Sequence, residues 1–228
     1  LALETLLRVQ TEGLGLPTPS QFEEDFSSFT EWSLHRKDER DNEHYEAWGT
    51  QLYYELTMRV QEDITVLANE PYSALVMGHI CTPSFWDPRH VKNASFWDIH
   101  QPVPGFPRDQ RVAVRLADHI ARRGPFVRFV WTLCADDKLD HHPHHPRISW
   151  KEADTVWYRI ERQITVPLDG KGALFLIRSY VHPLDRLSLA QRHILREAIE
   201  VMPHDISTYK GLTDLKDRRD LLNQISPH

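Results

Sequence analysis

Residues 155–181 read Thr-Val-Trp-Tyr-Arg-Ile-Glu-Arg-Gln-Ile-Thr-Val-Pro-Leu-Asp-Gly-Lys-Gly-Ala-Leu-Phe-Leu-Ile-Arg-Ser-Tyr-Val, and the folding of this stretch decides which side chains meet. β-Branched and aromatic residues dominate Thr155–Val166 and Ala173–Val181, the composition of two strands. Asp169-Gly170 between them suits a two-residue type I′ turn, whose two central residues both take positive φ. With that turn Glu161 stands opposite Arg178, Arg159 opposite Tyr180, Gln163 opposite Leu176 and Trp157 opposite His182. Val156, Tyr158, Ile160, Ile164, Phe175 and Ile177 then form the reverse, core-facing side. One extra residue in the turn would break this facing, because the side-chain period of a strand is two.

Working outward, the preceding segment Asp136–Pro146 is polar and carries His141, His142, His144 and His145 around Pro143. The prolines prevent the helical i, i+4 presentation of zinc motifs, so a solvated loop is expected in preference to a metal site. Phe126–Leu133 reads as a strand. Asp109 caps a helix to Arg123 that Gly124-Pro125 ends, with Val112, Leu116 and Ile120 as its apolar stripe and Ala113 and Ala117 beside it. Residues 84–107 are rich in prolines and aromatics and read as short turns. Within them, Pro102 and Pro104 stiffen Trp97-Asp-Ile-His-Gln-Pro-Val-Pro-Gly-Phe106. One imidazole, His100, beside a rigid loop with Phe96, Trp97 and Phe106 suits an axial ligand of a flat apolar cofactor.

Ile64–Leu67 and Ser73–Thr82 read as two further strands joined at Asn69-Glu70-Pro71, and residues 39–60 as an amphipathic helix carrying Tyr45, Trp48, Leu52, Leu56 and Val60. On the C-terminal side, Ser188 and Gln191 form a capping box for a helix to Val201, with Leu189, Ile194, Ala198 and Val201 available for packing. A last helix is expected near Leu212–Ile225. Two strands, helical pieces, then three strands give an α+β fold: a PAS-like five-stranded antiparallel sheet with helices on one face and N- and C-terminal helical extensions. Residues 1–38 form an arm, 39–211 a single domain and 212–228 the terminal helix.

The 228 residues carry a net charge of −6, with 26% charged and 40% hydrophobic residues. Dispersed cations among more numerous acids argue against a nucleic-acid binder, and no apolar run reaches the roughly 20 residues of a membrane span. Cys81 and Cys134 make neither a CxxC nor a CxxCH pattern, which excludes covalently attached haem, and the cytoplasm is the expected compartment. There is no P-loop, GxGxxG, GxSxG or HExxH. A pocket between sheet and helices would place His100 across from Arg159, Glu161, Arg178 and Tyr180, with Arg159 suited to a cofactor carboxylate. His79 and His182 are rival axial imidazoles, and Cys81 a rival thiolate.

Six blocks carry a resemblance: Val60-Gln-Glu-Asp-Ile64, Cys81-Thr-Pro-Ser-Phe-Trp86, Ile99-His-Gln-Pro-Val-Pro-Gly105, Tyr158-Arg-Ile-Glu-Arg-Gln163, Leu176-Ile-Arg-Ser-Tyr-Val-His-Pro-Leu184, and Met202-Pro203 followed by Tyr209-Lys-Gly211. In this order, over residues 60–211, the chain resembles the α-subunit of haem-dependent oxidative N-demethylases, built on a haem-binding PAS domain. The resemblance implies non-covalent haem b, dioxygen activation and oxidation of a small secondary amine such as dimethylamine, with release of formaldehyde. It implies electrons from an NADPH-dependent reductase carrying FMN and a 2Fe-2S cluster on a partner subunit, and it is compatible with a homo-oligomer. Carried onto this sequence, His100 is the axial ligand, with Trp97, Phe106 and Arg159 around the cofactor, and Glu161, Arg178 and Tyr180 form the oxygen and amine site. A non-catalytic haem-PAS gas or redox sensor, and a PAS-like ligand-binding module without haem, are the alternatives. The His-rich loop and the N-terminal arm depart from the family pattern.

Overall fold

The computed structural model describes residues 46–48, 57, 59–69 and 73–225. Its strands are β1 (Glu46–Trp48), β2 (Asp63–Ala68), β3 (Ala74–Ile80), β4 (Phe126–Cys134), β5 (Trp157–Pro167) and β6 (Gly172–Pro183), and its helices α1 (Phe96–His100), α2 (Gln110–Arg122), α3 (Leu189–Glu200), α4 (His204–Tyr209) and α5 (Arg219–Ile225). The strands form one antiparallel sheet in the order β1-β3-β2-β6-β5-β4. Five of them are the strands expected from sequence, and the fold is α+β. The sixth, β1, lies inside the stretch expected to be helical and instead pairs with the outer edge of β3. The rest of that expected helix and the arm over residues 1–38 fall almost entirely outside the described residues.

The hairpin holds the main correction. Asp169 and Gly170 both take positive φ, at 51° and 75°, as a type I′ turn requires. Lys171 N–H closes that turn onto Leu168 O, but Leu168 N–H then bonds Gly172 O, so Lys171 is an extra, bulged residue. The register slips by one: Glu161 lies opposite Ser179, Arg162 opposite Arg178, Gln163 opposite Ile177 and Ile160 opposite Tyr180. Arg159 and Glu161 therefore share a face with Gln163, Ile177 and Ser179, while Arg178 and Tyr180 project from the other. The expected grouping of all four on one wall is overturned, and Phe175 and Ile177 leave the face of Ile164. Gly172 is needed for backbone approach, since a Cβ there would sit 2.1 Å from Leu67 O.

The two faces pack differently. On the Ile164 face, Val60, Ile64, Val166, Leu174 and Leu176 form one buried cluster. Farther along that face Trp131 and Tyr158 meet the C-terminal core of Leu133, Leu195, Ile199, Leu212, Leu215, Leu221 and Ile225. The capping box of α3 forms as expected, yet the helix buries Leu195 and Ile199 and leaves Leu189, Ile194 and Val201 exposed. Helix α2 lies over the Glu161 face, where His119 stacks on Phe126 with centroids 5.6 Å apart. It buries Ala113, Ala117 and Ala121 rather than the expected larger stripe, and Leu116 is exposed. Alanines at four-residue spacing let the helix backbone approach closely, which side chains the size of leucine would prevent.

Candidate functional site

The short helix α1 is capped by Ser95, whose Oγ accepts from Asp98 N–H, and its last residue is His100. That imidazole packs between two rings, with Phe96 at 4.2 Å and Phe106 at 5.0 Å between centroids, and Phe106 also meets Trp97 at 6.1 Å. His100 Nδ1 donates to Phe96 O at 2.8 Å. A carbonyl oxygen can only accept, so the ring proton is on Nδ1 and the lone pair on Nε2. Partial burial lowers the pKa of His100 below its ordinary value, outweighing the hydrogen bond to Phe96, and the nearby positive charge of Arg128 lowers it further. The neutral imidazole is thus favoured. Next to it Gln101 keeps a buried Nε2 without a hydrogen-bond partner.

Arg128, whose charge reaches His100, belongs to the sheet. It projects from β4 on the Glu161 face, directly opposite Gln163. Arg128 Nε donates to Gln163 Oε1 at 2.6 Å, and Gln163 Nε2 donates to Glu161 Oε2 at 2.9 Å. Glu161 Oε1 lies 3.5 Å from Arg159 Nε. Arg159 is 0% exposed and donates to Leu139 O, Thr82 O and Ser179 Oγ. Thr82 Oγ1 lies within hydrogen-bond distance of Ser179 Oγ and also donates to Asp63, which accepts from Cys81 and Thr82 backbone N–H as well. A continuous polar chain thus runs Arg128–Gln163–Glu161–Arg159–Ser179–Thr82–Asp63 across four strands and the β3 exit. Burial pushes the Asp63 carboxyl up to about 6 against the three hydrogen bonds donated into it. Tyr209, the last residue of α4, feels the charges of Glu161 and Arg128, and partial burial with the Glu161 charge raises its hydroxyl pKa.

Of the residues singled out from sequence, the structure brings His100, Trp97 and Phe106 together and places Glu161 and Arg159 on the wall. Arg178 and Tyr180 are elsewhere. On the reverse face Arg178 Nη1 lies 3.6 Å from Glu62 Oε1, which Arg162 also meets at 3.2 Å, and the Arg178 guanidinium sits 5.3 Å over the Tyr180 ring. The rival His182 is exposed on that face beside Tyr180, and His79 is buried there, opposite Ile64, with Nε2 3.6 Å from Cys81 Sγ. Arg128, Gln163, Ser179 and Asp63 were missed as site residues. One cation at the centre of the apolar run Phe126-Val-Arg-Phe-Val-Trp131 is the signal that was available for Arg128.

The His-rich loop is not solvated as expected. His141 and His142 are 7% and 5% exposed. His141 stacks on Phe85 at 4.4 Å and pairs with Asp136 at 2.8 Å, and His145 pairs with Asp140 at 2.9 Å. Among the described residues no group of three or more His, Cys, Asp and Glu side chains is arranged to hold a metal ion, and no helix is long and apolar enough to cross a membrane.

A comparison with curated proteins finds no match. The sequence profile of the family described as "Haem-dependent oxidative N-demethylase, alpha subunit-like" matches residues 15–219. That match spans most of the chain, including α1, the polar wall and helices α3 and α4, and the protein belongs to the haem-dependent oxidative N-demethylase, alpha subunit-like family.

Proposed function

We propose that this chain is the oxygen-activating part of an oxidative N-demethylase that acts on a small secondary amine of the dimethylamine type and releases formaldehyde. The observation that carries the reading is the tautomer of His100: with Nδ1–H committed to Phe96 O, Nε2 is presented as a neutral donor of the kind an axial haem ligand must be. The residues present fit a haem. His100 would ligate the iron, Phe96, Phe106 and Trp97 supply apolar ring surface around the ligand, and the orphaned Gln101 Nε2 and the Arg128 guanidinium offer donors to polar groups on the cofactor. The haem, when bound, supplies the dioxygen and redox chemistry.

The chain's own residues do the rest. Glu161, held by Gln163 and Arg159, would bind the substrate ammonium through its remaining lone pairs and accept its proton, leaving a free amine for oxidation. Asp63 would buffer the inner end of the polar chain. The Tyr209 hydroxyl, which feels the Glu161 and Arg128 charges, would be a further donor. Arg178 and Tyr180, on the reverse face, have no part in this reading. Electrons would come from a partner reductase with FMN and 2Fe-2S, fed by NADPH, since the sequence carries no motif for either group.

The test is an absorption spectrum of the haem-loaded protein followed by turnover with an electron donor. A Soret band that is altered in His100→Ala and partly restored by added imidazole, together with formaldehyde from dimethylamine, is expected. An unchanged band in His100→Ala overturns the ligand assignment. A spectral response to carbon monoxide without formaldehyde from any small secondary amine would favour a gas sensor instead.

A further inference from the structure

The cleft under the His-rich loop lies outside the proposed reaction site and has its own chemistry. It measures about 230 Å³ and is lined by residues that include Phe85, Lys138, Asp140, His142, His145 and Arg147. That volume is below the roughly 300–1,000 Å³ of drug-sized ligand pockets, so the cleft takes a small group rather than a whole tetrapyrrole.

Its carboxylates are all engaged. Asp140 accepts from His142 backbone N–H and pairs with His145 at 2.9 Å, neighbouring Asp136 pairs with His141, and Asp87 takes four hydrogen bonds from Arg89. Its two full cations are not. Neither Lys138 Nζ nor the Arg147 guanidinium has a hydrogen bond or ion pair to any described residue. Arg147 is instead held by packing, its guanidinium 3.5 Å over the Phe85 ring, on the side where a Cβ on Gly211 would come within 2.5 Å of its Nη2. Phe85 takes φ +66°, a conformation costly for a bulky residue, and is fixed there by its N–H bond to His141 O and by the His141 stack. Strained backbone thus orients a guanidinium that feels the Asp136 charge through space but makes no ion pair or hydrogen bond with it.

We propose that this cleft is an oxyanion site, taking a phosphate or carboxylate group on Lys138 and Arg147. The anion has two sources of the same chemistry, a free small oxyanion or the carboxylates of a bound haem.

Titration calorimetry with inorganic phosphate and with acetate, on the haem-free and the haem-loaded protein, tests it. Saturable binding is expected in the haem-free protein, weakened at least about tenfold by Arg147→Gln or Lys138→Gln and unchanged by His144→Gln. Binding that persists after haem loading assigns the site to a free anion; binding that haem abolishes assigns it to the cofactor's own carboxylates. Absence of saturable binding in both forms, or equal binding by Arg147→Gln and Lys138→Gln proteins with wild-type circular dichroism, overturns the proposal. The haem-free arm does not depend on the reading of His100, so the two fail separately.

Discussion

At His100 a single backbone hydrogen bond fixes the tautomer, because donation from Nδ1 to Phe96 O leaves the lone pair on Nε2. Glu161 is positioned in a comparable way, between a neutral amide donor and a buried guanidinium. Replacing it with Gln keeps the volume and removes the anion. Glu161→Gln is therefore expected to lower kcat/KM for a secondary amine by about 10²-fold or more while leaving the Soret band in place, checked by formaldehyde assay and spectrum on one preparation. Asp63 makes a separate test through pH. Its folded-state value, about 6 against an ordinary 3.8, means that the folded protein holds this proton more tightly than the unfolded chain does. The stabilisation is fully present below about pH 4 and is lost as pH rises through 6. Relative to Asp63→Asn, which cannot titrate, the wild type should lose about 2 kcal/mol of unfolding free energy between pH 4 and 7, read from urea transitions at each pH.

Among the elements, α2 shows how a packing face is misread. The large residues of its sequence suggest a Val112, Leu116 and Ile120 stripe, yet the sheet receives Ala113, Ala117 and Ala121. Ala117→Leu should cost about 1–3 kcal/mol through overpacking, whereas Leu116→Ala should stay within about 0.5 kcal/mol because Leu116 is already 40% exposed. Thermal unfolding of the two variants distinguishes them. The same reason explains what the sequence made legible. Strand composition, the Asp109 cap, the Ser188 and Gln191 capping box and the Asp169-Gly170 turn are local signals, and each matches an observed element. Which side of an element is buried depends on distance to a neighbour, and that is where α2, α3 and the Arg178 and Tyr180 placement differ from expectation. The ring cluster of His100 with Phe96, Trp97 and Phe106 was legible because it is local. Arg128 was not, because its partners Gln163 and Glu161 come from another strand.

At the scale of the whole molecule, the sheet separates two environments: the polar chain and α2 on one side, the apolar clusters and most of the C-terminal helical region on the other, with the end of α4 reaching the polar side at Tyr209 and Lys210. The separation rests on Lys171. Strand β6 is held on both sides, by β5 and by β2, so it cannot slide to absorb a change of loop length. Deleting Lys171 should lower the urea midpoint markedly and abolish haem retention, while Lys171→Gly should remain within about 0.5 kcal/mol of wild type. The bulged lysine thus works as a reading frame for the sheet. A one-residue insertion or deletion at this exposed loop would set the β5–β6 register against the β2–β6 register, the two demanding opposite faces of β6, with every strand residue unchanged. Relatives that keep both registers are accordingly expected to keep the length of this loop.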